Sequence, residues 1–194
     1  MGLVGFVNRV ATGPRRVRAR FTLPGVIFFF SMLTVLALGA RYVDRWFGWG
    51  AFMRPILRIA LGSPITVLGG GLTAWCIVRF RRAHGTPVPL NPPQELVFDG
   101  LYERVRNPMM TGVFVFMLGL ALLMGSRALL FLGLPLLICA GVFFVKVIEE
   151  PELERRFGQA YVAYRNRVPM FLPRLGNGRR RTKAPDGGGQ GSVR

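Results

Sequence analysis

The chain has 194 residues, of which 51% are hydrophobic and 18% charged, and its formal net charge is +17 at neutral pH. In a soluble protein such a charge would suggest nucleic-acid binding, but here the basic residues flank apolar runs and none lies in a recognisable nucleic-acid motif. The sequence therefore predicts no nucleic-acid partner. Two cysteines and one histidine predict neither a disulfide framework nor a metal site.

Long uncharged runs predict an all-α integral membrane bundle of about four transmembrane helices. No charged residue occurs from Leu23 to Ala40, and Arg127 is the only charge between Pro108 and Val145. Because a span needs roughly 20 apolar residues to cross ~30 Å of hydrocarbon, the second run is long enough for two spans folded at a Gly-Ser-Arg turn. The membrane domain is predicted over residues 23–174, with spans at about 23–40, 59–80, 109–125 and 128–148.

The segments outside these spans carry predictions of their own. Residues 1–22 form a basic tail, and the first span is interpreted as retained because its apolar run exceeds the 7–15 residues of a signal peptide. Aromatic and arginine residues alternate over 41–58, which is typical of the membrane–water interface. Prolines exclude a helix from most of 81–107. Residues 175–194, rich in glycine and arginine, are predicted to be a disordered basic tail.

Basic residues are distributed unequally between the two sides of the predicted bundle. Of the 26 lysine and arginine residues, 21 fall in the N-terminal tail, in the loop before Pro108 or in the segment from Lys146 onward. The positive-inside rule places this larger set in the cytoplasm. We therefore predict a protein of the bacterial plasma membrane with both termini cytoplasmic. The run Arg179 to Arg181 either contacts anionic membrane lipids, at ~1 kcal/mol per charge, or stays solvated.

A helix is predicted after the last span. Pro151 suits the first turn of a helix, where Glu152 and Glu154 would lie at its positive end. Apolar residues then recur at steps of three or four, namely Leu153, Phe157, Tyr161, Tyr164 and Val168, while Arg165 falls elsewhere on the helical wheel. The pattern predicts an amphipathic helix over 151–166 with its apolar stripe against the bundle or the bilayer surface.

Two polar clusters are expected to meet at the cytoplasmic mouth of the last hairpin. Asn107 lies 19 residues before Ser126, and Glu149 lies 23 residues after it. At ~1.5 Å rise per residue the two differ in depth by roughly 6 Å. Segment 104–112 should therefore lie beside Glu149 and Glu150. Charges at such a position usually mark a functional site, although a solvated helix end would also place two carboxylates there.

These clusters carry a resemblance to a known family. Residues Gly100 to Gly112, GLYERVRNPMMTG, resemble the signature G-x-Y-x-x-x-R-H-P-x-Y-x-G of the isoprenylcysteine carboxyl methyltransferase and phospholipid methyltransferase group. The segment from Glu149 to Pro169 resembles the ending of that family, E-E-x-x-L-x-x-x-F-G-x-x-Y-x-x-Y-x-x-x-V-P. The resemblance covers about residues 85–174, and its two parts occur in the family's order with one hairpin between them.

The resemblance implies an S-adenosylmethionine-dependent methyltransferase that takes its cofactor from the cytosol and a lipophilic or prenylated substrate from the bilayer. It implies catalytic roles for Arg106 and Glu150. The residues it assigns to the cofactor site are Tyr102, Arg106, Asn107, Pro108, Met110, Gly112, Glu149 and Glu150. Methyl transfer from a sulfonium requires alignment of donor and acceptor and exclusion of water, and it needs no metal.

The sequence departs from the family pattern at two positions. Asn107 replaces the family's histidine, and it keeps one donor and one acceptor but cannot take a proton near neutral pH. Met110 replaces a tyrosine, keeping its bulk and losing its hydroxyl. Two alternatives stay open: an NADPH-dependent membrane reductase of the sterol-reductase type, which shares the hairpin, and a non-catalytic protein on the same scaffold. The adjacent glutamates before the C-terminal motif favour the methyltransferase.

Overall fold

The computed structural model of the chain describes residues 15–82 and 100–173, with side chains over 24–79 and 100–173. These residues are helical and include no strand. In chain order the elements are α1 (Arg15–Trp46), α2 (Pro55–Arg82), a 3-10 turn (Gly100–Glu103), α3 (Pro108–Met124), α4 (Leu129–Phe157) and α5 (Gln159–Arg167). Two π-helical turns interrupt α4, at Leu129–Gly133 and Val145–Glu149.

Three of these helices, α1, α2 and α4, are long and apolar enough to cross a membrane. The fourth, α3, is apolar but has only 17 residues, a length of ~26 Å that lies near the lower limit for a span. The prediction of an all-α membrane bundle is confirmed, with three to four helices that could span the bilayer. Both α1 and α2 extend into the segment 41–58, so that only residues 47–54 connect them.

The structure describes only part of the segments that were predicted to flank the membrane spans. Residues 1–22, predicted as a tail, are described only from Arg15, where α1 has already begun. The proline-rich residues 83–99 and the C-terminal tail lie outside the described residues. The prediction of one amphipathic helix over 151–166 is wrong, because the chain turns at Gly158 with a φ of +57° that favours glycine. Its first part continues α4, and its second part is α5.

Helices α2 and α3 pack with their backbones in direct contact. A Cβ atom added at Gly69 would lie 2.2 Å from the backbone nitrogen of Phe116, and one added at Gly119 would lie 2.3 Å from the nitrogen of Thr66. Such close approach requires small residues, which are enriched where helices meet in membranes. We call the four glycines at this contact the glycine seam: Gly62, Gly69, Gly112 and Gly119.

Arginine side chains from α1 and α2 bind the carboxyl end of α3. The Nε and Nη2 atoms of Arg58 donate to the carbonyl oxygen of Leu123 at 2.9 and 2.7 Å. Arg41 donates through Nη1 to the carbonyl oxygen of Met124 at 3.2 Å. Helix ends leave carbonyl groups unpaired, and their partial negative charge favours cations. The end of α3 is therefore fixed by both preceding helices.

Asp44 of α1 binds the start of α4 in the complementary way. Its Oδ1 atom accepts a hydrogen bond from the backbone nitrogen of Ala128 at 2.9 Å, and the residue is only 4% exposed. A carboxylate at the amino end of a helix pairs with unsatisfied N–H groups and with the positive end of the helix dipole. Together, the residues that hold the turn between α3 and α4 form the turn lock: Arg41, Asp44 and Arg58.

Replacing Asp44 with alanine should lower the free energy of unfolding by about 1–2 kcal/mol, because α4 loses its capping carboxylate. Asp44→Asn should recover a large part of this loss, since asparagine keeps an oxygen that can accept from Ala128. Thermal unfolding of the purified protein in detergent measures both variants. An alanine variant as stable as the wild type would show that this cap contributes nothing to the bundle.

Candidate active site

The two motif segments, far apart in sequence, form one structural unit. The backbone nitrogen of Arg106 donates to the carbonyl oxygen of Pro169 at 2.8 Å, and that of Asn107 donates to Met170 at 3.0 Å. These bonds attach the chain that follows α5 to the amino end of α3. Segment 104–107 is thereby placed beside the last turns of α4 and beside α5.

An ion pair joins the two segments at the centre of this unit. Nη1 of Arg106 lies 2.5 Å from Oε1 of Glu150, and the two side chains are 11% and 12% exposed. Glu150 directly follows the π-helical turn Val145–Glu149, and such turns occur frequently at functional sites. The convergence of segment 104–112 with the glutamate pair, predicted from helix rise alone, is thus observed for these two residues.

Two polar groups at this ion pair make no hydrogen bond with the described residues and could bind a ligand. Glu149 is half-buried and forms no ion pair or hydrogen bond with the residues that the structure describes. The Nε atom of Arg106 is buried and makes no hydrogen bond to any of them. The site therefore combines a carboxylate that can accept from a cation with a guanidinium N–H that can donate to an anion.

Three tyrosines lie near the pair, of which Tyr102 and Tyr161 are buried and Tyr164 is half-buried. The hydroxyl of Tyr164 donates to the carbonyl oxygen of Tyr102 at 2.7 Å. Burial raises the pKa of Tyr161 to about 12; the charge of Glu150 adds to this rise, and Arg106 opposes it. Burial also raises the pKa of Tyr102 and of Tyr164. All three phenols therefore stay neutral near pH 7 and serve as hydrogen-bonding groups.

Asn107 and Pro108 form the start of α3. Asn107 occupies the position before the first helical residue, but its side chain makes no capping hydrogen bond. Pro108 is buried in the first turn, where a missing N–H costs nothing and the fixed φ suits a helix. The side chain of Asn107 is thus not committed to the helix end that it precedes.

Met110 and Gly112, both predicted to line the cofactor site, occupy contacts between helices. The terminal methyl of Met110 lies against α4, where a Cβ added at Gly141 would be 2.9 Å from it. Gly112 belongs to the glycine seam, and a Cβ there would lie 2.9 Å from the backbone nitrogen of Thr73. Packing between helices accounts for both residues.

Comparison with known proteins bears on the same segments. The sequence profile of a family described as phospholipid methyltransferase matches residues 57–160, more than half of the chain. The chain belongs to the phospholipid methyltransferase family. A protein-S-isoprenylcysteine O-methyltransferase of Schizosaccharomyces pombe is 37% identical over 87 residues, which make up 43% of this chain and 35% of that protein. The alignment thus spans little more than a third of the relative's length.

Two charged residues of this family member make structural contacts that the sequence did not predict. The predicted helix has Arg165 on its polar face, yet the Nη1 atom of Arg165 lies 3.9 Å from Oε2 of Glu150 and 3.0 Å from Oε2 of Glu154. Asp44 in the turn lock carried no prediction at all. A lone acidic residue among the arginines at the end of an apolar run was the available signal for Asp44.

Proposed function

We propose that this member of the phospholipid methyltransferase family is an S-adenosylmethionine-dependent methyltransferase acting on the head group of a lipophilic substrate. The observation that carries the proposal is the largely buried pair of Arg106 and Glu150, with Glu149 beside it unpaired among the residues that the structure describes. Family membership supports methyl transfer as the reaction. The apolar helices that end at this site support a substrate drawn from the membrane.

The charged groups of the site suit the amino-acid end of S-adenosylmethionine, which carries an ammonium and a carboxylate. Glu149 would hold the ammonium, and the Nε of Arg106 would hold the carboxylate through charge-assisted hydrogen bonds. When bound, the cofactor supplies an electrophilic methyl group on a sulfonium. Glu150 keeps Arg106 in place, and the surrounding tyrosines supply neutral hydroxyls, so that these residues align the reactants and limit access of water.

A carboxylate is the methyl acceptor that this site suits best. Asn107 cannot accept a proton near neutral pH, and the buried tyrosines stay protonated. A substrate carboxylate is already ionised at pH 7 and needs no base for attack on the methyl carbon. The relative from S. pombe, a protein-S-isoprenylcysteine O-methyltransferase by name, supports an acceptor of this kind on a lipidated group.

Calorimetric titration of the detergent-purified protein with S-adenosylmethionine and, separately, with NADPH tests the proposal. We expect binding of S-adenosylmethionine, none of NADPH, and loss of the binding heat in Arg106→Gln. Methyl transfer should then be detected to a prenylated cysteine with a free carboxylate but not to its carboxamide. Binding of NADPH instead would favour a reductase, and binding of neither would favour a non-catalytic protein.

We also propose that the site faces the cytoplasm, on the basis of the unequal distribution of basic residues. In a Cys139→Ser background, cysteines at position 85 or 192 should be protected from an impermeant thiol reagent in intact cells. Arg127→Cys should be labelled, because Arg127 is exposed in the turn between α3 and α4. Labelling at 192 with protection at 127 would invert the orientation and remove any access to cytosolic cofactor.

A further inference from the structure

Glu150 is approached by guanidinium groups at both of its carboxylate oxygens. Arg106 contacts Oε1, and Nη1 of Arg165 lies 3.9 Å from Oε2. The same Nη1 atom lies 3.0 Å from Oε2 of Glu154, one helical turn further along α4. Arg165 thus connects α5 to two successive turns of α4, and one of these connections ends on a residue of the candidate site.

The fold brings Arg165 to this place by a reversal of the chain. Helix α4 continues past Glu150, the chain turns at Gly158, and α5 returns along the last turns of α4. The neighbouring residue Tyr164 donates to the carbonyl oxygen of Tyr102 at 2.7 Å. This hydrogen bond fixes α5 against the 3-10 turn, so that the backbone position of Arg165 is set independently of its own ion pairs.

The surroundings of these pairs decide how much each can contribute. The Arg106 and Glu150 side chains are 11% and 12% exposed, whereas Arg165 is 32% and Glu154 is 46% exposed. Exposed ion pairs are screened by water and contribute little. The hydrogen bond to Glu154 therefore adds little stability but places the Arg165 side chain. From there the charge of Arg165 acts on the less exposed Glu150 at 3.9 Å, beyond hydrogen-bond distance.

We propose that Arg165 is a positioning residue that holds Glu150 in the orientation pairing with Arg106. A glutamate side chain has three rotatable bonds, and fixing it in advance removes an entropy cost that ligand binding would otherwise include. Arg165 therefore acts on the cofactor through Glu150 and Arg106. The effect of Arg165 on S-adenosylmethionine binding rests on the proposed function. The effect of Arg165 on the Arg106–Glu150 pair does not, since it requires no cofactor.

Arg165→Gln tests the inference, with Arg167→Gln as the matched control. Arg167 lies on the same helix, is exposed, and forms no ion pair with the residues that the structure describes. In calorimetric titrations Arg165→Gln should weaken binding of S-adenosylmethionine about three- to tenfold, and Arg167→Gln should leave it unchanged. Arg165→Lys, which keeps the charge but lacks the planar fork, should lose only about twofold.

A second measurement separates this inference from the proposed function. In cofactor-free protein, a double-mutant cycle of Arg106→Gln and Glu150→Gln measures the coupling between the two residues from thermal unfolding. This coupling should fall by at least about half in the Arg165→Gln background. If the wild type binds no S-adenosylmethionine but the coupling falls, the proposed function fails and the positioning role stands.

The opposite results overturn the positioning role. If the wild type binds S-adenosylmethionine and Arg165→Gln binds it equally well, the proposed function stands and Arg165 does not position the site. An undiminished Arg106–Glu150 coupling in that background leads to the same conclusion. Should Arg165→Gln fail to fold, Arg165→Lys decides: a twofold loss of affinity supports the role, and wild-type affinity contradicts it.

Discussion

Glu149→Gln is expected to weaken binding of S-adenosylmethionine by about 10- to 150-fold. The variant loses one charge-assisted hydrogen bond to the ammonium of the cofactor, roughly 1.5–3 kcal/mol at ~1.4 kcal/mol per tenfold. The melting temperature of the cofactor-free protein should not fall, because Glu149 pairs with none of the described residues and glutamine removes the cost of burying an unpaired charge. Calorimetry and thermal unfolding of the same preparations measure the two effects.

The adjacent residue should respond differently. Glu150→Gln removes the partner of a guanidinium that is almost buried, so the cofactor-free protein should lose about 1–3 kcal/mol of stability in addition to affinity. Glu103→Gln is the control, since Glu103 is an exposed glutamate in the 3-10 turn. If Glu149→Gln binds the cofactor as tightly as Glu103→Gln does, Glu149 does not hold the cofactor and the assigned site is wrong.

Gly69→Ala is expected to lower the free energy of unfolding by about 1–3 kcal/mol. The added methyl would lie 2.2 Å from the backbone nitrogen of Phe116 and 2.7 Å from the carbonyl oxygen of Gly112. Backbone atoms cannot rotate away, so α2 and α3 must separate. Thermal unfolding in detergent measures the loss.

Gly71→Ala is a matched control two residues further along the same helix. A Cβ at Gly71 meets no atom within 4 Å, and alanine is the better helix former by about 1 kcal/mol. This variant should be as stable as the wild type or more stable. Equal melting temperatures for the two variants would show that the close contact at Gly69 is not needed for the stability of the bundle.

The existence of the helices could be predicted because a membrane span needs only a long uncharged run. Helix ends depend on contacts with other parts of the chain, so they could be predicted less accurately than the helices themselves. Apart from Val43, residues 41–46 are polar or aromatic, yet they continue α1, where Asp44 and Arg41 bind the backbone on either side of the turn between α3 and α4. The apolar periodicity of residues 151–166 predicts one continuous helix, but Gly158 interrupts it with a positive φ. The spacing of apolar residues carries no information about backbone φ angles, so this turn could not be predicted from it.

The candidate site could be predicted only to the extent that it depends on depth along the helix axes. Counting residues from the turn places Arg106 and Glu150 at similar depths, since both helices rise by the same ~1.5 Å per residue. The contact of Arg165 with Glu150 depends on the direction in which α5 leaves Gly158, which no spacing encodes. Met110 and Gly112 match positions of the family motif, but only the three-dimensional packing places them against α4 and α2.

The glycine seam has a consequence for motion at the site. Where backbone lies directly on backbone, no side-chain rotamer can change to let two helices slide, so α2 and α3 should move as one rigid body. Arg106, just before α3, belongs to that body. Residues 169–171 are joined to the same body, since their carbonyl oxygens accept hydrogen bonds from Arg106, Asn107 and Thr111. The basic half of the site is therefore held in place before a ligand binds.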